Sequence, residues 1–123
     1  MESFLPKCYF QGKIINFKDA KISVATHALH YGTGAFGGLR ATVDTKTKQV
    51  VLFRLKDHCK RLSKSAKLLG YDLSPKFIEE KITEFVKANP TKKDYYIRPL
   101  IYVSDLGIAP RLHNVSYDFL IYG

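Results

Sequence analysis

Asp57-His58-Cys59-Lys60-Arg61-Leu62-Ser63-Lys64-Ser65-Ala66-Lys67-Leu68-Leu69-Gly70 carries an apolar stripe at helical spacing: Cys59, Leu62, Ala66 and Leu69. Lys60, Lys64 and Lys67 fall on the opposite, solvated face. Asp57 is the expected N-cap and Gly70 the expected stop, so the spacing predicts a helix over 57–69. A second helix follows at once. Ser74-Pro75 supplies an N-cap and a proline at the first helical position, Ile78, Ile82, Phe85 and Val86 form the apolar face, and Asn89-Pro90 ends it.

Outward from this helix pair the chain reads as strands on both sides. Upstream, 50–55 is β-branched and apolar and returns from a turn at Thr45-Lys46-Thr47-Lys48. Residues 35–43 are strand-like, and 27–38 are rich in small residues and glycine, so their first part reads as loop. Residues 8–17 are two short apolar runs around Gln11-Gly12-Lys13, a hairpin signal. Downstream, 95–103 and 117–122 read as strands. Strands, two helices, then strands imply an α+β fold with a mostly antiparallel sheet. The 123 residues suffice for one domain, so 1–123 is read as a single unit.

Composition narrows the function. With 46% hydrophobic residues the chain can fill a core. Its formal net charge of +9 raises three partners: nucleic acid, anionic lipid and a small phosphorylated ligand. The lysines are dispersed from Lys7 to Lys93, the only dense basic stretch is 54–67, and no nucleic-acid motif is visible. Nucleic acid is therefore not expected as a partner. A membrane is not expected either, since no apolar run approaches a membrane span and Met1-Glu2-Ser3 lacks the basic start of a signal peptide. Cys8 and Cys59 read as reduced thiols, not a disulfide or zinc framework. The expected location is cytoplasmic or organellar.

Three places can carry binding chemistry. In the run 26–40, four glycines in seven positions permit close backbone approach to a ligand. On a strand from Ala35, alternation puts Phe36, Gly38 and Arg40 on one face, an apolar wall beside a gap. A glycine-rich hairpin without a ligand is the competing reading. In Tyr95-Tyr96-Ile97-Arg98-Pro99-Leu100-Ile101-Tyr102, a strand puts Tyr96 and Arg98 together, and a hydroxyl beside a guanidinium can hold a carboxylate. The competing reading pairs Arg98 with a local carboxylate. Pro99 argues for an edge or a bulge. Third, Arg61 at the margin of the first helix's stripe is a candidate phosphate contact, against a plain solvated face. His27 and His30 lack further ligands at metal spacing and read as structural. No nucleophile with a base, phosphate-loop pattern or zinc signature is visible. The residues describe a binding half-site.

These same residues resemble the fold-type IV aminotransferases, and within them the branched-chain group. The resemblance rests on His27-Ala28-Leu29-His30-Tyr31-Gly32-Thr33, then Phe36-x-Gly38-Leu39-Arg40, Phe53-Arg54 with His58, Arg61-Leu62-x-x-Ser65-Ala66-Lys67, and Tyr96-Ile97-Arg98-Pro99-Leu100. It implies the small N-terminal domain of a two-domain, pyridoxal 5'-phosphate enzyme that moves amino groups from leucine, isoleucine or valine to 2-oxoglutarate. It gives Arg61 to the cofactor phosphate, Phe36 and Gly38 to the side-chain pocket, and Tyr96 and Arg98 to the substrate carboxylate. Tyr31 and the loop 107–111, with Pro110, are implied to reach across a homodimer. The Schiff-base lysine is implied to lie in a C-terminal domain outside these residues, so the 123 residues alone are expected to be inactive. Many members have glutamate where this chain has Gly37. Alternation sends that position away from Phe36 and Gly38, so the pocket is expected to survive. A D-amino-acid aminotransferase, an aminodeoxychorismate lyase and a stand-alone binding domain are the alternatives.

Overall fold

The computed structural model describes residues 3–123. Strands β1 (Lys7–Phe10) and β2 (Lys13–Asn16) form the expected hairpin. It closes through Gln11 and Gly12, both at positive φ, the two-residue turn geometry that matches strand twist. Helix α1 (His27–Tyr31) precedes β3 (Gly34–Phe36), β4 (Leu39–Val43) and β5 (Val50–Leu52). Then come α2 (Leu55–Leu68), α3 (Pro75–Ala88), β6 (Tyr95–Val103) and β7 (Tyr117–Tyr122). Every strand pair is antiparallel, in one sheet of order β2-β1-β7-β6-β4-β5 with β3 also on β6. The chain is α+β, as its patterning implies. Among the described residues no helix is long and apolar enough to cross a membrane. Met1 and Glu2, where the signal-peptide reading begins, lie outside the described residues.

Both long helices pack on one sheet face. Cys59, Leu62 and Ala66 of α2 and Ile78, Ile82 and Phe85 of α3 share one core with Leu39, Ala41, Ile97, Ile101, Phe119 and Ile121 of the strands. Phe85 is fully buried, and truncating such a side chain to alanine costs about 3–5 kcal/mol. Ser74 caps α3 as expected, its hydroxyl accepting the Phe77 N–H at 3.0 Å. Asn89 ends α3 and ties it to β1. Its side-chain carbonyl accepts the Lys7 N–H at 2.9 Å, and its amide donates to the carbonyls of Lys7 at 3.1 Å and Phe85 at 3.0 Å.

Four expectations need correction. Among the described residues there are three α-helices, not two, because α1 occupies part of the expected loop. At five residues α1 is too short to persist alone; it is fastened by the rest of the fold, with the His27 N–H donating to the Asp105 carbonyl at 2.8 Å. Helix α2 starts at Leu55, so the expected strand over 50–55 ends early. Its N-cap is Arg54 in the left-handed region, and Asp57 lies inside the first turn. There Asp57 pairs with Arg54 at 2.8 Å, a placement the helix dipole also favours. Third, the strand over 35–43 is interrupted. Phe36 pairs with Leu100 and Leu39 with Ile97, which leaves Gly37 and Gly38 opposite Pro99 and Arg98. Gly37 N–H donates to the Pro99 carbonyl at 3.0 Å, but proline has no N–H to return the bond, so the ladder breaks while the register continues. Fourth, Pro99 therefore stands in a central strand opposite that gap, not at a sheet edge.

Candidate functional site

Alternation along β3, β4 and β6 sends Leu39, Ala41, Ile97 and Ile101 to the helices and Phe36, Gly38, Arg40, Tyr96 and Arg98 to the other face. Phe36 is 59% and Tyr96 49% exposed, so this face is open. Arg98 organises it. Its guanidinium carbon lies 4.2 Å from the centroid of the Phe36 ring and 5.4 Å from that of Tyr96. Its Nη2 donates to the Tyr96 hydroxyl at 3.2 Å. That bond is the first reason the guanidinium is held still more firmly in its charged form. Neither ion pair among the described residues involves Arg98, and its Nε is buried without a partner. The competing reading, Arg98 paired with a local carboxylate, is not met among the described residues.

Gly38 makes room for it. A β-carbon built on Gly38 would overlap the Tyr96 hydroxyl, so the phenol lies across the glycine, next to Arg98. Gly37 projects the other way, toward Pro99, as alternation requires. Tyr122 of β7 stands opposite Arg98 on the remaining side. Tyr96, Arg98 and Tyr122 line an open recess of about 710 Å³ with Phe4 and Thr91. The sequence reading missed Tyr122, because only the long-range pairing of β6 with β7 brings it here.

A second, smaller recess of about 280 Å³ lies at the start of α2, lined by Phe53, Arg54, Asp57, His58 and Arg61. Phe53 continues the β4–β5 pairing, its N–H donating to the Arg40 carbonyl at 3.2 Å, so this recess borders β4, the strand that carries Arg40 and follows Gly38. Asp57 neutralises Arg54, which leaves Arg61 as the free cation among the described residues of the recess. Arg61 meets His58 Nδ1 through Nη2 at 3.3 Å.

Tyr31 and Pro110 belong to a third group. The Tyr31 hydroxyl donates to the Ile108 carbonyl, tying α1 to the loop 107–111. His27 engages both ring nitrogens there, with the Thr33 hydroxyl at 2.8 Å and the Ala109 carbonyl at 3.1 Å, and His30 Nε2 meets the Val24 carbonyl at 2.7 Å. Both histidines are thus structural. Among the described residues no hydrogen bond or ring contact joins this group to Phe36 or Arg98.

The open sheet face carries a stacked guanidinium that joins neither ion pair of the described residues, and a small basic recess borders it. Similarity to known proteins gives the chain a family. Residues 36–122 match the family model Amino-transferase class IV, and the chain belongs to that family. It is 60% identical over 124 residues to a probable branched-chain-amino-acid aminotransferase of Synechocystis sp., covering 100% of this chain and 41% of that protein. The branched-chain aminotransferase of Thermoproteus uzoniensis, solved with norvaline, superposes with a TM-score of 0.85 at 32% identity, covering 97% of this chain and 40% of that one. The T.th. branched-chain amino acid aminotransferase, complexed with N-(5'-phosphopyridoxyl)-L-glutamate, gives 0.82 at 36% identity, covering 96% and 39%. The chain spans about two fifths of the length of these relatives.

Proposed function

We propose that this chain is the N-terminal domain of a pyridoxal-phosphate branched-chain amino-acid aminotransferase, transferring amino groups between leucine, isoleucine or valine and 2-oxoglutarate. The observation that carries the reading is the Arg98 guanidinium, stacked on Phe36, bonded to Tyr96 across Gly38 and, among the described residues, free of any acidic partner. It leaves donors for a carboxylate beside an apolar ring that suits an aliphatic side chain. Relatives it resembles are named branched-chain aminotransferases, which supports the reading.

The residues present fit the phosphate end of the cofactor. The recess at α2 is small, holds one free guanidinium among the described residues and borders the site face. The relative solved with a phosphopyridoxyl ligand supports the same reading. When bound, pyridoxal phosphate supplies the chemistry of amino-group transfer. In this reading Arg61 binds the phosphate, Phe36 and Gly38 shape the side-chain pocket, and Tyr96 with Arg98 orient the carboxylate. Tyr31 and Pro110 belong to the surface offered to a second subunit in a homodimer. In this reading the covalent lysine lies in a domain beyond these residues. Both cysteines are free and buried, as suits a reducing cytoplasm.

The test is pyridoxal-phosphate absorbance with a leucine transamination assay, run in parallel on the 123-residue chain and on a longer protein that includes a following domain. Colour and activity only in the longer protein are expected. Activity in the 123 residues alone would mean that one of their own lysines serves the cofactor, and the domain assignment would fall.

A further inference from the structure

The small recess at the start of α2 contains a histidine to which nothing so far gives a task. Five side chains line it, and their pairings divide the work. Arg54 is pinned, its Nε and Nη2 each 2.8 Å from one Asp57 oxygen. Arg61 is exposed, on a long flexible stem, and ion-paired to none of the described carboxylates. Among the described residues, the one side chain hydrogen-bonded to its guanidinium is His58, one helical turn earlier, through Nδ1.

We propose that His58 is a positioning residue for phosphate recognition: its unprotonated Nδ1 accepts one N–H of Arg61 and so fixes the guanidinium in the recess with its remaining donors free. The inference rests on the assignment of this recess to the cofactor phosphate and goes beyond it by giving the neighbouring imidazole a role. A guanidinium has five donors in a rigid plane, so holding one of them orients the rest. An exposed arginine without such a partner must lose its rotamer freedom when it meets the ligand.

The role requires a neutral ring, because an imidazolium has no acceptor nitrogen. The surroundings supply that state. Partial burial holds His58 below the usual histidine range, the Arg61 and Arg54 charges lower it further, and only Asp57 opposes them. Acidification protonates Nδ1, removes the acceptor and sets two cations side by side.

The experiment uses the apo form of the longer protein. It compares binding of pyridoxal phosphate with that of pyridoxal, which lacks the phosphate, so the ratio of the two affinities isolates the phosphate contact. His58→Ala should reduce that ratio by about tenfold, the scale of one charge-assisted hydrogen bond. His58→Asn, whose Oδ1 replaces the Nδ1 acceptor, should restore most of it. From about pH 7 down to about pH 5, a window set low to follow the lowered His58, the wild-type ratio should fall further than that of His58→Asn, since both share the titration of the phosphate and only one has the imidazole. An unchanged ratio in His58→Ala, or identical pH profiles for wild type and His58→Asn, overturns the proposal. If His58→Ala does not fold, the pH comparison still decides. A wild-type protein that binds pyridoxal as tightly as its phosphate overturns the phosphate reading of the recess itself, a different result from loss of discrimination in the variant alone.

Discussion

The Tyr96 hydroxyl fills the space that a β-carbon on Gly38 would occupy. The glycine therefore sets where the phenol lies, and the phenol in turn receives a hydrogen bond from Arg98. Gly38→Ala should push the Tyr96 ring outward and unseat Arg98. We expect kcat/KM of the longer protein to fall by about tenfold or more, because small misplacements of orienting groups cost rate steeply. Its thermal midpoint should move little, since the displaced ring is half-exposed. In a Tyr96→Ala background the same substitution should be nearly neutral, a coupling that a double-mutant cycle measures. Equal losses in both backgrounds would show that Gly38 acts without Tyr96.

The local signals in the sequence were dependable where the chemistry was local. Ser74-Pro75 opened α3, Asn89 closed it, and the apolar stripes of both helices marked the faces that are buried. Alternation grouped Phe36 with Gly38 on one strand and Tyr96 with Arg98 on another, and the pairing of β6 with β3 and β4 puts the two sets on one face. Three things were not legible. Helix α1 depends on bonds from His27 to Asp105 and Ala109, far along the chain. The left-handed Arg54 that starts α2 early has no sequence mark, since arginine is not a residue that favours that conformation. Tyr122 joins the site only through the β6–β7 register.

Asn89 is 2% exposed, and its three hydrogen bonds hold the end of α3 to the start of β1. Asn89→Ala leaves the Lys7 N–H and two carbonyls without these partners in a closed environment. Urea denaturation of the 123-residue chain should report a loss of about 3 kcal/mol. A loss within about 0.5 kcal/mol, the range of ordinary surface changes, would mean that water replaces the side chain at that joint.

Cys59 gives a pH signature. It is 1% exposed, and burial first and Glu79 second push its thiol up to about 11 from an ordinary 9.0. A folded-state value above the unfolded one contributes stability that is fully present below pH 9.0 and lost as pH rises through about 11. The stability difference between wild type and Cys59→Ala should be flat up to the lower limit, then shrink by roughly 2 kcal/mol across the window. Taking the difference cancels the tyrosines and lysines that titrate in the same range. A difference that stays constant throughout would mean that the buried thiol does not control alkaline stability.

The proposed dimer surface makes the last prediction. Val24 is 81%, Leu29 61%, Leu106 66% and Ile108 88% exposed, all on α1 and the segments fastened to it. Such a concentration of exposed apolar side chains fits the proposed interaction surface. It is also held in shape: Tyr31 grips the Ile108 carbonyl, and His27 bonds the Ala109 carbonyl at 3.1 Å. Ile108→Glu places a charge at the patch while removing almost no buried contact, so the fold should keep its stability within about 0.5 kcal/mol. Sedimentation velocity over a range of concentrations should show self-association in wild type and a monomer in Ile108→Glu. Tyr31→Phe, which loosens the loop without adding charge, should weaken association by less. Wild-type protein that stays monomeric at every concentration, both alone and with its following domain, would remove the homodimer from the proposed function. It would also leave Tyr31 and Pro110 without a second subunit to reach.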